Sequence, residues 1–497
     1  MLRVPLLNRP MNLTLIVFVV LYLLGTLGIG VWAGTRVKNT ADFAVAGRSL
    51  PLVMVITTTF ATWFGAETVM GIPAKFVQGG LGAIVEDPFG AGLCLVLVGT
   101  FFAARLYQKN LLTIGDFYRQ RYGKGVEIFC SLAIILSYLG WVAAQVTALG
   151  LVFSILTDGH MSAQTGMIVG LLAVLVYVVI GGFLAVAWTD FIQMIVLVVG
   201  LSVIAVFSAD LAGGAGAVLN LAAQKDLGAF LPKAGFTDVA MFLGAALTMM
   251  LGSIPQQDVF QRVMSAKDAK TAQRGAIIGG FSYIAFAFVP MFIVLAAVVV
   301  MGDKALDLAQ NDYQRVLPTF IMGHMPLIMQ ILFFGALLSA IKSTSSATLL
   351  APTTSFVENI LKQIRPGMSD RQQLVAMRVT LVIFAFCVLV YAIALQGTPI
   401  YELVSAAYQV TLVAAFVPLV FGLYWSRATT QGAVFSIFAG VGVWVTFFPQ
   451  VTTWGELFPG QLAGLLAALA GMVVGSLMPQ ILTNRHEHVS HHLPRHP

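Results

Sequence analysis

Apolar runs of 18 or more residues recur along the whole chain, and each is long enough to cross a hydrocarbon core of about 30 Å as a helix. A water-soluble core has no use for so many uncharged stretches, so the sequence reads as an all-α polytopic bundle in lipid. Composition agrees: 59% of the 497 residues are hydrophobic and 10% are charged, where an ordinary soluble domain carries roughly a quarter charged.

Spans are expected at 12–34, 51–78, 82–104, 126–156, 163–182, 187–210, 238–256, 275–301, 326–351, 379–396, 401–424, 430–449 and 460–482, about thirteen in all. An odd count puts the termini on opposite sides, and loop cations choose the orientation. One side holds Arg36, Lys38 and Arg48, then Arg105, Lys109, Arg119, Arg121 and Lys124, then Arg262, Lys267, Lys270 and Arg274, then Lys362, Arg365, Arg371 and Arg378. The other has only Lys225, Lys233, Lys304 and Arg315. The dense side reads as cytoplasmic, which places the N-terminus outside and the C-terminus inside, in a cell inner membrane.

The same topology accounts for the net charge of +6 and pI near 9.2 without a nucleic-acid partner. The N-terminal apolar run lacks a small-x-small cleavage site and reads as a retained first helix. Cys94, Cys130 and Cys387 have no CxxC spacing and no neighbouring His, which supports neither a disulfide framework nor a metal site. Segment 209–235 reads as an external Gly/Ala-rich loop with a short surface helix. One transmembrane domain is expected over 1–482. The tail 483–497, with His486, His488, His491, His492 and His496, reads as disordered and weakly metal-binding.

Backbone in lipid must satisfy its own hydrogen bonds, so irregular or polar spans mark cavities. The second span carries Thr57, Thr58, Thr59, Thr62, Gly65, Glu67, Thr68, Gly71 and Pro73 and reads as interrupted near 60–67. A Thr-rich packing face would explain the hydroxyls. It does not explain Glu67, because a carboxyl inside a span is costly and by default functional. In the seventh span Gly252, Ser253 and Pro255 break the helix, and Gln256, Gln257 and Asp258 follow. Interrupted helices in matching halves point to a midplane substrate site. These two lie five spans apart, as in two inverted five-helix units, repeat one about 51–210 and repeat two about 238–424. In the ninth span Ser339, Ser343, Thr344, Ser345, Ser346 and Thr348 surround Lys342. Such hydroxyls are either packing groups or hard ligands able to replace water around a small cation. HExxH, GxSxG and paired His/Asp within spans are all lacking, and the chain is not expected to be an enzyme.

Five separated motifs occur in order: AGRSLP (46–51), YVVIGGFLAVAWTD (177–190), FQRVMSAKDAKTA (260–272), SAIKST (339–344) and YWSRATTQGA (424–433). On these the chain resembles the sodium/solute symporter family over about 35–480. The resemblance implies the LeuT-type 5+5 inverted-repeat fold with an ion pocket between the second and ninth spans. It assigns sodium to the backbone carbonyls of Ala61, Phe64 and Ala340 and the hydroxyls of Ser343 and Thr344. Asp190 matches the acidic residue linked to sodium release; its alternative role is an N-cap on the sixth helix.

Lys342 stands where members commonly carry an apolar residue. Its ammonium would pair with Glu67 or Asp190, or would replace the sodium charge in a proton-coupled cycle. ATWFGAE (61–67) and GWVAAQVTALG (140–150) resemble high-affinity choline transporters, including Trp63 and Trp141, whose ring faces attract quaternary ammonium. The Trp those proteins carry after the Ile-Pro of the seventh span is Gln256 here. The expected function is import of a small organic solute by alternating access, coupled to sodium or, alternatively, to protons; a transporter-like sensor is the other reading. The expected substrate residues are Thr62, Trp63, Glu67, Trp141, Gln145, Gln256, Tyr408 and Gln409. No organic cofactor is expected, the co-transported ion aside, and the bundle is expected to act as a monomer.

Overall fold

The computed structural model describes residues 13–448 and 451–482, and among them the regular structure is helical, with no strand. The His-rich tail lies outside the described residues. In chain order the principal helices are α1 (Leu13–Gly34), α2 (Leu52–Trp63), α3 (Glu67–Gly79), α4 (Leu81–Gln108), α5 (Lys124–Leu156), α6 (Ala163–Leu211), α7 (Phe236–Gly252), α8 (Gln257–Ser265), α9 (Ala269–Met301), α10 (Leu327–Ile364), α11 (Asp370–Ala394), α12 (Ile400–Tyr424), α13 (Thr430–Thr446) and α14 (Gly460–Leu477). Among the described residues nine of these are long and apolar enough to span a membrane, and the chain is a multi-pass membrane protein. Segment 209–235 carries a short helix at Ala215–Gln224.

Two pairs span only jointly, bent at a break: α2 with α3 by 57° and α7 with α8 by 45°. The first break follows from Phe64, whose φ of −89° and ψ of 71° leave the helical region just before Gly65. The second follows from Pro255, which has no N–H for the ladder, and from Gln256, extended at φ −68° and ψ 139°. The two spans expected at 163–182 and 187–210 form one run, α6, broken at Gly182 alone. There φ is 51° and ψ is −145°, a conformation open essentially to glycine. A Cβ at Gly182 would also meet Phe43 Cδ2 at 2.5 Å.

α11 starts at Asp370 rather than 379, because Ser369 and Gln372 form a capping box that carries the helix out through a polar turn. At the same end of the bundle, Leu50 N–H donates to the Ser265 carbonyl (2.9 Å) and Lys267 N–H to the Leu50 carbonyl (3.0 Å), tying the entry of α2 to the exit of α8.

Burial sorts the helices by role. α10 runs through the centre, with every residue from Ala336 to Ser355 buried. α1 leaves Leu13, Val17, Phe18, Val20, Leu21 and Leu24 exposed, an apolar face suited to acyl chains. α8 is buried along all its residues although it carries Gln257, Asp258, Gln261 and Arg262, so its polar groups need partners inside the protein.

Candidate functional site

The break between α2 and α3 frees main-chain groups from the helix ladder, and side chains from other helices meet them. Ala66 N–H donates to Gln145 Oε1 of α5 (3.0 Å), the Thr344 hydroxyl of α10 donates to the Thr62 carbonyl (2.8 Å), and the Thr68 hydroxyl donates to the Trp63 carbonyl (3.2 Å). Glu67, buried, accepts from Gln145 Nε2 at 2.6 Å and from Trp141 Nε1 at 3.3 Å. Gly65 makes this convergence sterically feasible. A Cβ there would lie 2.6 Å from Glu67 Oε2, 2.8 Å from Thr344 Oγ1 and 3.0 Å from Gln145 Oε1.

Around the same break, Asp190 of α6 accepts from the Ser343 hydroxyl (2.5 Å) and the Thr58 hydroxyl (2.6 Å). A hydroxyl that gives its proton to a carboxylate keeps its lone pairs for a cation. Asp190 lies inside the helical run beyond Gly182, so the alternative of an N-cap role does not hold. Ala61 and Phe64 flank Thr62 and Trp63, and Ala340 lies one turn before Thr344 on α10; all three are buried.

Arg262, expected among the cytoplasmic loop cations, is instead buried in α8. It donates through Nε to the Thr58 carbonyl (3.3 Å), through a terminal nitrogen to the Asp258 carbonyl (2.6 Å), and through the other to the Thr62 hydroxyl. One side chain thereby fastens the second half of the seventh span to the first half of the second.

Above Glu67 the aromatic rings form a cluster. Trp63 lies 5.9 Å from Trp141 and 6.0 Å from Tyr408, and Trp141 lies 5.3 Å from Tyr408. Tyr283 joins at 6.5 Å from Trp63 and Tyr138 at 6.1 Å from Trp141. These rings touch one another, so a solute entering the cluster has to part them.

Of the residues expected at the substrate, Trp63, Glu67, Trp141, Gln145 and Tyr408 lie together, packed on one another. Thr62 faces α8 and α10, and Gln256 joins at the edge, donating to Ser137 Oγ (2.9 Å) and Thr411 Oγ1 (3.4 Å). Gln409 is turned away: its Oε1 accepts from Trp444 Nε1 of α13 at 3.2 Å. Lys342 pairs with neither Glu67 nor Asp190. Its ammonium donates to the Thr26 hydroxyl of α1 and lies 5.1 Å from the Tyr177 ring and 5.9 Å from the Tyr22 ring.

Sequence reasoning missed Glu86, Asp87, Tyr138 and Tyr283, and it marked Asp258 beside the break without giving it a partner. Tyr138 donates to Asp258, Tyr283 to Asp87 (2.5 Å), and Ser405 to both oxygens of Glu86 (2.8 and 2.9 Å). The adjacent acids Glu86 and Asp87 inside an apolar span break the same rule that singled out Glu67, and that signal was available.

The profile of the sodium:solute symporter family matches residues 43–440. The chain belongs to the sodium:solute symporter family. The symporter is 28% identical over 446 residues to the high affinity choline transporter 1 of Homo sapiens, covering 87% of this chain and 76% of that one. It is 27% identical over 490 residues to the sodium/pantothenate symporter of Escherichia coli (strain K12), covering 95% and 98%. Among solved structures, a substrate-bound, outward-open Na+-coupled sialic acid symporter superposes with a TM-score of 0.80 at 21% identity, covering 94% of this chain and 98% of that one. The relatives are transporters rather than enzymes, and the chain shares the fold of the sialic acid symporter.

Proposed function

We propose that this protein imports a small organic solute across the plasma membrane on a sodium gradient, by alternating access. Sodium sits between α2 and α10, held by the carbonyls of Ala61, Phe64 and Ala340 and the hydroxyls of Ser343 and Thr344, with Asp190 beneath to polarise Ser343 and ease release. The cargo sits beside it against Trp63, Glu67, Trp141, Gln145 and Tyr408, with Thr62 and Gln256 at the border. The observation that carries this reading is the Thr344 hydroxyl on the Thr62 carbonyl, 2.8 Å across the end of α2, which brings the hydroxyl-rich helix against the broken span. Interrupted helices with free backbone groups at bilayer depth suit ion and substrate coordination.

The two bent pairs support inverted repeats over 51–210 and 238–424, the helices with the Gly182 break support thirteen crossings, and the loop cations other than Arg262 support the N-terminus outside and the C-terminus in the cytoplasm. A monomer suffices, since every residue invoked comes from one chain. Ion binding that favours the outward-facing state biases the cycle. Lys342 points toward α1, away from Ser343 and Thr344, which favours sodium over the proton-coupled alternative.

The test is uptake into proteoliposomes of labelled organic solutes with sodium and proton gradients imposed separately. Accumulation driven by sodium alone supports the proposal. Accumulation driven by protons alone supports the Lys342 alternative, and solute binding without accumulation supports a sensor.

A further inference from the structure

A second carboxylate borders the ring cluster. Asp87, 1% exposed at the start of α4, accepts from the Tyr283 hydroxyl at 2.5 Å, and that hydroxyl also contacts Thr68 Oγ1 at 3.0 Å, one residue from Glu67. The other oxygen of Asp87, Oδ2, is buried with no hydrogen-bond partner. The hydroxyl of Tyr408, 0% exposed, likewise has none, and it lies within electrostatic reach of Asp258, Glu67 and Asp87.

Among the described residues no ion pair reaches either acid. The ion pairs of the described residues are Arg119–Glu127, Arg315–Asp312 and Lys362–Glu358. Lys75 rests its ammonium over the Tyr401 ring at 4.0 Å and acts on Glu86 rather than Asp87, and Arg262 and Lys342 are engaged on α2 and α1. An unpaired carboxylate buried in a membrane protein is costly, and the cost disappears when a cation with N–H donors reaches it.

We propose that the cargo is an organic cation bearing N–H groups at both ends, a small diamine or amino-guanidine, held between Glu67 and Asp87 with its carbon chain against Trp63, Trp141 and Tyr408. This rests on the transporter reading and names its substrate class. Charge-assisted N–H···O bonds to both acids and to the Tyr408 oxygen satisfy the free acceptors, and the ring faces hold the cationic ends. A quaternary ammonium fits the rings but offers no N–H to Asp87, and an anion meets two carboxylates of its own sign.

The experiment is thermal stabilisation of the purified full chain by 1,4-diaminobutane, 4-aminobutylguanidine, choline and pantothenate, each titrated in sodium and in potassium. The expected result is saturable stabilisation by one of the two amines in sodium, at concentrations at least tenfold below those choline or pantothenate needs. Asp87→Asn should raise the amine concentration needed at least tenfold while leaving sodium stabilisation in place. Tyr283→Phe, which keeps the acid but removes the hydroxyl that orients it, should raise it severalfold and serves if Asp87→Asn does not fold. Tighter binding of choline or pantothenate, or an Asp87→Asn protein that binds amines as before, overturns the substrate assignment. Sodium stabilisation with no response to either amine also overturns it but leaves the transporter reading standing. A chain that sodium does not stabilise over potassium overturns the sodium-coupled reading itself.

Discussion

At the scale of single residues the site depends on what is small and what is paired. Gly65→Ala should lower solute uptake at least tenfold without loss of membrane insertion, since the added methyl would sit 2.6 Å from Glu67 Oε2; uptake compared with protein level by immunoblot checks this. Ser343→Ala or Thr344→Ala should raise the sodium concentration for half-maximal uptake by about tenfold or more, the equivalent of about 1.5–3 kcal/mol for a bond to a charged group. Lys342→Met should leave sodium dependence unchanged and raise the melting temperature by roughly 2 °C, because it removes a buried ammonium that has hydroxyl and ring partners but no carboxylate. Glu67 was legible in the sequence because an acid in an apolar span has no bland explanation. Gln409 was not, because a step of about 100° around a helix turns it toward Trp444 while Tyr408 faces the rings. Arg262 was hidden in a polar run that reads as a loop until the helix burying it is seen.

At the scale of elements, the breaks in the second and seventh spans could be read from Gly, Pro and polar residues, since these are the groups that fail in an unbroken helix. The break in α6 was legible only as a gap between two spans, where the chain uses the single residue Gly182. Gly182→Ala should destabilise the protein by about 2–3 kcal/mol through its positive φ, before the clash with Phe43 is added. A lower melting temperature and a smaller monodisperse fraction would report it. The start of α11 was misplaced because hydropathy marks the edge of lipid, whereas Ser369 and Gln372 mark the edge of the helix.

At the scale of the whole molecule, sidedness is open to direct test. With Cys387 replaced by Ser, a cysteine at exposed Lys225 should react with an impermeant maleimide on intact cells, whereas one at exposed Lys267 should react only after permeabilisation. The reverse pattern would invert the topology.

The contact between Lys342 and Thr26 joins positions 316 residues apart. At roughly 5–20 residues per second of synthesis, Thr26 leaves the ribosome roughly 15–60 s before the lysine does. Tyr22 and Tyr177 also precede it in the chain. During biogenesis the lysine of α10 is thus made after all three side chains that its ammonium meets in the folded chain.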